Sequence, residues 1–208
     1  MLKVIVVDDH PFIRSSVKML LTHEGFEVVA ETDNGADAVQ LVITHEPDLV
    51  VLDITIPKLD GLEVIRRIRA LGVRTKILVL TSLAAKFYSM RCMSAGAAGY
   101  ISKTDSLDEL VRGAKVIMSG YSYFPDLQAI SVRRSDGRAT DDELIGSLSN
   151  RELAILKQLA NGLSNKEIGE IMLLSNKTVS TYKARLIEKL NVTSVVYLAD
   201  FAKRNDLL

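Results

Sequence analysis

The chain has 208 residues, of which 48% are apolar, and 26 Lys and Arg balance 26 Asp and Glu. This length predicts one large domain or two small ones, and the apolar content excludes a largely disordered chain. The single cysteine, Cys92, excludes an intramolecular disulfide, and three scattered histidines make a His-rich zinc site an unfavourable interpretation. No apolar run approaches the ~20 residues that span a bilayer, and carboxylates interrupt the first residues too early for a signal peptide. We therefore expect a cytoplasmic protein without a membrane partner.

The first 120 residues alternate short apolar runs with segments of helical periodicity, such as that of Ile13, Val17 and Leu20. The apolar runs are Lys3–Asp8, Phe26–Glu31, Asp48–Asp53, Lys76–Thr81 and Ala98–Ser102. Most of them show little polar alternation, which is typical of strands buried on both faces. Five strands alternating with five helices predict an α/β domain with a doubly wound, five-stranded parallel sheet. Such sheets bind ligands beyond the carboxyl ends of their strands.

A polar stretch over residues 121–146 has no clear apolar period, which predicts a linker between residues 1–120 and residues 147–208. In the last segment, Ser149 and Ser164 each precede a glutamate by three residues, which is typical of a capping box at a helix start. Further helices are predicted to begin at Ser175 and at Thr193-Ser194. Four short helices without a strand signal predict a small all-α domain. Its nine Lys and Arg against six Asp and Glu indicate, weakly, a polyanionic partner.

Polar residues gather at the carboxyl ends of the predicted strands, which this fold brings to one crevice. They are Asp8 and Asp9 on the first strand, Asp53 on the third, Thr81 on the fourth and Lys103 after the fifth. Carboxylates held together repel one another unless a cation is present, and their oxygens suit Mg²⁺. A carboxylate beside Mg²⁺ can attack a phosphoryl group to form an aspartyl-phosphate, with Lys103 and the Thr81 hydroxyl contacting the phosphoryl oxygens. A single Asp at a strand end is often only a helix N-cap, so the set of five favours a functional site.

Four motifs carry these residues: Val7-Asp8-Asp9-His10-Pro11, Leu52-Asp53-Ile54-Thr55-Ile56-Pro57 with Asp60-Gly61, Leu80-Thr81-Ser82, and Ser102-Lys103. Over about residues 1–120 the sequence resembles the receiver domain of two-component response regulators. The resemblance implies that Asp53 accepts a phosphoryl group from a sensor histidine kinase or a phosphotransfer domain.

The same resemblance implies a role for each remaining site residue. Mg²⁺ would be held by Asp9, Asp53 and the backbone carbonyl of Thr55, with Asp8 acting through water. Thr81 and Tyr100 would form the switch pair, and Lys103 would bind the phosphoryl group. We expect His10 to cap or line the site rather than to bind the metal. Thr104 stands where many receivers have proline, which leaves the isomer of the Lys103–Thr104 peptide open.

The predicted helix from Lys177 to Leu190 has two distinct faces at about 100° per residue. Its core stripe is Val179, Tyr182, Leu186 and Leu190. The candidate DNA-binding residues are Lys177, Thr178, Ser180, Thr181, Lys183, Ala184 and Arg185. Small and hydroxyl side chains can read base edges in a groove, and Lys and Arg can meet phosphates, although an ordinary solvated face is the alternative interpretation. Lys183 lies nearer the core edge.

Three further motifs, Leu148–Glu152, Gly162–Ile168 and Ser175–Lys183, resemble the LuxR-type helix-turn-helix. Joined to a receiver, this domain is typical of the NarL/FixJ class, and the chain is most similar to the BvgA/EvgA group. The resemblance implies a homodimer on double-stranded DNA with the second helix of the motif in the major groove, and RNA polymerase as a further partner. The last helix, around Ser194–Lys203, would carry dimer contacts through residues such as Val195 and Leu198.

The leading hypothesis is a transcriptional regulator whose phosphorylation on Asp53 promotes dimerisation and sequence-specific DNA binding. The alternative is a constitutive DNA-binding regulator whose receiver serves only for dimerisation. A phosphatase using Asp53 as nucleophile is less favoured, because Thr55 stands where an Asp-x-Asp motif would place a second acid. Beyond Mg²⁺-dependent self-phosphorylation from a donor and autodephosphorylation, we expect no enzyme activity.

Overall fold

A computed structural model describes residues 1–124 and residues 141–208 of the chain. Within these residues the chain forms two compact units, an α/β unit at the amino end and a helical unit at the carboxyl end. The helices described in the two units include none that is both long and apolar enough to cross a membrane.

The α/β unit contains five parallel strands in the order β2-β1-β3-β4-β5. The strands are β1 (Leu2–Val7), β2 (Phe26–Thr32), β3 (Leu49–Leu52), β4 (Lys76–Thr81) and β5 (Gly99–Ser102). The helices between and after them are α1 (Pro11–His23), α2 (Gly35–His45), α3 (Gly61–Ala70), α4 (Ala85–Ala95) and α5 (Leu107–Met118). This architecture confirms the predicted doubly wound fold, with strand ends displaced by one residue at most.

The apolar runs form strands whose two faces are covered by helices. All four residues of β3 are buried, and α1 and α5 pack on one side of the sheet through Val17, Leu21, Leu110 and Ile117. The winding reverses between β1 and β3, since the chain leaves β1 toward β2 and then returns to the other side of β1. A ligand crevice is expected beyond these two strand ends.

The helical unit consists of α6 (Asp141–Ser147), α7 (Asn150–Ala160), α8 (Asn165–Met172), α9 (Asn176–Lys189) and α10 (Val195–Arg204). Both predicted capping boxes form, at Ser149 with Glu152 and at Ser164 with Glu167. Buried leucines and isoleucines of α7, α8 and α9 form the core together with Leu198 and Phe201 of α10. Glu152 is itself buried and its Oε2 lies 2.8 Å from Lys189 Nζ, which ties α7 to α9.

The expected linker over residues 121–146 is ordered at both of its ends, and its middle, residues 125–140, lies outside the described residues. At its start, Tyr123 forms a bridge with Gly99 beside the sheet. At its end, α6 buries Ile145, and Arg204 and Asn205 donate hydrogen bonds to the carboxylate of Asp141. Periodicity could not indicate a helix of seven residues with one buried side chain, because its stabilising partners are about 60 residues away in the chain.

Candidate functional site

Two buried carboxylates lie at the point where the winding reverses. Asp8 follows β1 and Asp53 follows β3, and both side chains are nearly inaccessible to solvent. Backbone pairing continues past the strands, because Asp53 N–H donates to Val7 C=O at 2.8 Å and Asp8 N–H donates to Thr32 C=O at 3.1 Å. The sheet therefore fixes the backbone positions of Asp8 and Asp53, from which both carboxylates extend.

Lys103 joins the two carboxylates from the loop after β5. Its Nζ lies 2.6 Å from Asp53 Oδ2 and 2.6 Å from Asp8 Oδ2, and its backbone N–H donates to Thr81 C=O at 2.8 Å. Burial works against the charge of this lysine, but the hydrogen bonds and charges of Asp53 and Asp8 outweigh it and raise the pKa of Lys103. The site thus contains a fixed ammonium group against its two buried acids.

Asp9 and His10 form the open side of the same cluster. His10 Nδ1 lies 2.7 Å from Asp9 Oδ1 and 3.4 Å from Asp8 Oδ1, and its backbone N–H donates to Asp8 Oδ1 at 2.9 Å. His10 therefore lines the site, as expected, and holds Asp9. Arg14, which the sequence reasoning missed, donates to the Asp8 backbone carbonyl at 2.6 Å from the first turn of α1.

The cluster has the donor chemistry of a divalent cation site. One ligand atom from each of Asp8, Asp9, His10 and Asp53 lies within 4.8 Å of all the others. Asp8 Oδ2 is buried, and its near partner is the Lys103 ammonium, whose Nζ lies 2.6 Å away. Thr55 N–H donates to Asp53 Oδ1 at 3.1 Å and restrains that carboxylate. Hard oxygen donors in this number fit Mg²⁺.

The two residues of the proposed switch pair both contact the backbone of Leu83, a residue that carried no sequence signal. Thr81 is fully buried at the end of β4, and its Oγ1 lies 3.5 Å from Leu83 N. Tyr100 is also buried, and its hydroxyl donates to Leu83 C=O at 2.5 Å. Burial raises the pKa of Tyr100, so the hydroxyl remains a donor. A change in the position of the loop between β4 and α4 would therefore alter the contacts of both side chains.

The peptide isomer left open by the sequence is trans, because the described residues include no cis peptide bond. Thr104 instead joins a local turn in which its N–H donates to Ser102 Oγ and the two hydroxyls are 2.7 Å apart. This turn holds the backbone on the carboxyl side of Lys103.

The candidate DNA-binding residues lie on one helix, α9. Lys177, Ser180, Thr181, Ala184 and Arg185 are exposed, and Thr178 and Lys183 are partly covered. The Thr178 hydroxyl lies 2.8 Å from Ser175 Oγ, the N-cap of α9, and the Thr181 hydroxyl donates to Lys177 C=O. Val179, Leu186 and Leu190 of the predicted core stripe are buried, whereas Tyr182 is only partly buried. The exposed face is therefore free of the core and available to a ligand.

The predicted dimer residues need a correction, because Leu198 is fully buried in the core of the helical unit. Val195 is partly buried, whereas the neighbouring Val196 and Tyr197 are 69% and 57% exposed. Four consecutive bulky residues begin α10, and they do not reveal which of them face inward. Leu198 packs inward with Phe201 and Ala202, which fixes Val196 and Tyr197 as the exposed apolar pair.

Comparison with known proteins agrees with both halves of the fold. The family described as "Response regulator receiver domain" matches residues 4–115, and the family described as "Bacterial regulatory proteins, luxR family" matches residues 146–202. The chain is 52% identical over 205 residues to the "Virulence factors putative positive transcription regulator BvgA" of Bordetella pertussis, covering 99% of this chain and 98% of that protein. It is 36% identical to the "DNA-binding transcriptional activator EvgA" of Escherichia coli, with 98% of both chains covered.

A solved structure of the RcsB response regulator of Salmonella typhimurium matches with a TM-score of 0.77 at 22% identity, covering 98% of this chain and 97% of that one, and supports the fold alone. The two family matches and the full-length relatives carry the stronger statement. The chain belongs to the two-component response regulators and is a transcription regulator with a receiver domain and a LuxR-type DNA-binding domain.

Proposed function

We propose that this regulator is activated by phosphorylation of Asp53, and that the phosphorylated form dimerises and binds specific DNA sequences more tightly. The observation that carries the proposal is the contact of Lys103 Nζ with Asp53 Oδ2 at 2.6 Å in a crevice that also holds Asp8. A structural ion pair needs one acid, whereas this lysine meets two at the point where doubly wound sheets bind ligands. The donor would be a sensor histidine kinase or a phosphotransfer domain.

The proposed transfer uses groups that are already fixed. An Asp53 carboxylate oxygen attacks the donor phosphorus, so that a P–O bond to Asp53 forms while the P–N bond to the donor histidine breaks. The Lys103 ammonium is close enough to balance the charge gathered on the phosphoryl oxygens, and the buried Thr81 hydroxyl can donate to one of them. Thr55 N–H restrains Asp53 before the reaction, which lowers the entropic barrier of the step.

Mg²⁺ is the proposed cofactor of this transfer. Asp9, Asp53 and the backbone carbonyl of Thr55 would hold it, with Asp8 acting through water. When bound, it supplies charge neutralisation at the transferring phosphoryl oxygens. The convergence of three carboxylates, whose oxygens lie within 4.8 Å of one another, supports this assignment.

The readout is a proposed population shift between two states of the receiver. A phosphoryl group on Asp53 adds negative charge beside Lys103 and Thr81. Because Thr81 Oγ1 and the Tyr100 hydroxyl both meet Leu83, a movement of Thr81 changes the hydrogen-bonding environment of Tyr100. Dimerisation of the favoured state then raises the effective concentration of the second DNA-binding domain.

On DNA, we propose that α9 enters the major groove of double-stranded DNA. Ser180, Thr181 and Ala184 would meet base edges, while Lys177 and Arg185 would meet phosphates. Thr178 and Lys183 would contribute at the edge of this face. We assign the dimer contact of the helical unit to Val196 and Tyr197, supported by their exposure, and RNA polymerase is the proposed downstream partner.

The experiment that tests this function is intact-mass measurement after incubation with Mg²⁺ and acetyl phosphate. We expect one added phosphoryl group on the wild-type protein, and none on Asp53→Asn or on wild-type protein with a chelator. The same adduct on Asp53→Asn would contradict the acceptor assignment. If acetyl phosphate and a phosphorylated histidine-kinase domain both left the protein unmodified, the constitutive DNA-binding regulator would be the better interpretation.

A further inference from the structure

The segment after α5 returns to the sheet and pairs with the strand that carries Tyr100. Tyr100 N–H donates to Tyr123 C=O at 2.8 Å, and Tyr123 N–H donates to Ala98 C=O at 2.9 Å. Tyr123 thereby covers the free edge of β5, an edge that otherwise exposes unpaired backbone groups. One of these two bonds is made by the backbone of the switch residue itself.

Two glycines allow Tyr123 to pack closely against β5 and α5. A Cβ at Gly99 would lie 2.8 Å from the Tyr123 carbonyl oxygen, and a Cβ at Gly113 of α5 would lie 3.1 Å from the Tyr123 ring. A Cβ at Gly99 would clash with the Tyr123 backbone and with Ile117 Cδ1, and a Cβ at Gly113 would clash with Ile101 Cδ1 and crowd the Tyr123 ring. The Tyr123 hydroxyl donates to the Glu109 carboxylate, and the ring packs against the core cluster beside α5.

Tyr123 also lies between β5 and the part of the chain that leads to the helical unit. It lies two residues before residue 125, where the covalent path toward the helical unit leaves the described part of the receiver. Along β5, Tyr100 is three residues before Lys103, whose Nζ contacts Asp53. The backbone of one short strand therefore connects the phosphorylation site at one end with the start of the interdomain segment at its edge.

We infer that Tyr123 is a positioning residue that transmits the state of the Asp53 site to the chain leading into the DNA-binding domain. A shift of β5 that follows phosphorylation must move or break the two backbone hydrogen bonds to Tyr123, because both are made by the strand or its immediate start. The inference rests on the proposed phosphorylation of Asp53. It adds the residues through which a conformational change in the receiver would reach the DNA-binding domain.

The test compares full-length wild-type protein with Tyr123→Ala, Tyr123→Phe and a matched control, Tyr121→Ala, whose tyrosine is 73% exposed in the same segment. Each protein is measured for phosphoryl incorporation by intact mass and for affinity to a duplex selected from a random DNA pool by the acetyl-phosphate-treated wild type. The decisive quantity is the ratio of the dissociation constants without and with acetyl phosphate.

We expect all four proteins to take one phosphoryl group. Tyr121→Ala keeps the wild-type ratio. Tyr123→Phe keeps most of it, because the ring that packs beside α5 and holds the segment against β5 remains, whereas Tyr123→Ala loses that ring. Tyr123→Ala lowers the ratio at least threefold toward one. An unchanged ratio in Tyr123→Ala, an equal loss in Tyr121→Ala, or a loss of phosphoryl incorporation in Tyr123→Ala would overturn the inference.

A measurement on the wild type needs no variant that might misfold. Amide hydrogen exchange at Tyr100 and Tyr123 should change at least threefold on acetyl phosphate treatment, and should stay constant in Asp53→Asn. Constant exchange in a wild-type protein that carries the phosphoryl group would overturn this inference and leave the proposed function standing. A wild-type protein that takes no phosphoryl group from acetyl phosphate or a kinase domain overturns the proposed function together with it.

Discussion

The Asp53 site and the exposed face of α9 are organised in opposite ways. In the first, buried acids, a lysine and a threonine at the ends of four strands are joined to one another by hydrogen bonds and ion pairs. In the second, side chains of a single helix point away from the core and make few contacts of their own. Function at a preorganised site depends on every member, whereas an exposed face binds through many small, additive contributions.

The largest expected effect follows from removing Lys103. Lys103→Ala should slow phosphoryl incorporation from acetyl phosphate by roughly 10²–10³-fold, since a single charged donor to a transferring group contributes on that scale. The control is Lys18→Ala, whose ammonium pairs with Glu31 at 2.9 Å on the surface and should leave the rate unchanged. Equal rates for the two variants, followed by mass spectrometry over time, would remove Lys103 from the mechanism.

Within the helical unit, the same contrast separates two neighbours on α10. Leu198→Ala should lower the free energy of unfolding by about 2–5 kcal/mol, because it opens a cavity in the core. Val196→Ala should leave urea unfolding nearly unchanged and weaken self-association instead, measured by analytical ultracentrifugation of the phosphorylated protein. A large stability loss in Val196→Ala would show that this side chain serves the core and not a dimer contact.

The two capping boxes also differ in burial, and we expect a smaller difference in stability between their variants. Glu152 is buried and paired with Lys189, so Glu152→Gln should lower stability by about 1–2 kcal/mol at pH 7, and Glu167→Gln, at an exposed box, should lower it less. Although burial works in the other direction, the Lys189 ammonium and the Ser149 N–H lower the pKa of Glu152.

The lowered pKa fixes the sign of the pH dependence. A carboxylate with a depressed pKa in the folded state stabilises the protein above its unfolded pKa of about 4.3 and stops doing so as the pH falls through the folded value. The stability gap between wild type and Glu152→Gln should therefore shrink below about pH 4.3. A gap that stays constant in urea titrations from pH 7 to pH 3 would argue against an ionised Glu152 in the folded state.

The smallest effect is expected on the exposed face of α9. Lys177→Ala should weaken binding to the selected duplex modestly and reduce the slope of log affinity against log salt by about one, because one phosphate contact is lost. Lys203→Ala, outside the proposed groove face, serves as the charge-matched control. Equal salt slopes for wild type and Lys177→Ala in fluorescence anisotropy would place Lys177 away from the phosphates.

The sequence could predict whatever the topology of a parallel sheet determines. Asp8, Asp53 and Lys103 converge because each follows a strand, and the order of apolar runs alone indicated as much. Leu83 could not be found in this way, since it acts through its backbone carbonyl, an atom that every residue has. The sequence did not reveal which residues of α10 face the core, because four bulky residues in a row fit several orientations. Packing against α7 and α9 selects one of them.

The contacts that hold the two ends of the expected linker also carry no sequence signal, for a related reason. Tyr123 is held by the backbone of β5 and by Glu109, and α6 is held by Arg204 and Asn205, partners that are distant in sequence. Local composition reports turn and helix preference, and it contains no information on such tertiary bonds. These two short segments show where the order within a polar stretch comes from.

The central claim is that the chemistry at Asp53 controls DNA binding. Its most direct test is the affinity of wild type and Asp53→Asn for the selected duplex, each measured with and without Mg²⁺ and acetyl phosphate at one fixed salt concentration. We predict a tighter dissociation constant on treatment of the wild type only. Equal tightening of both proteins, or none in a wild-type protein that carries the phosphoryl group, would contradict the claim.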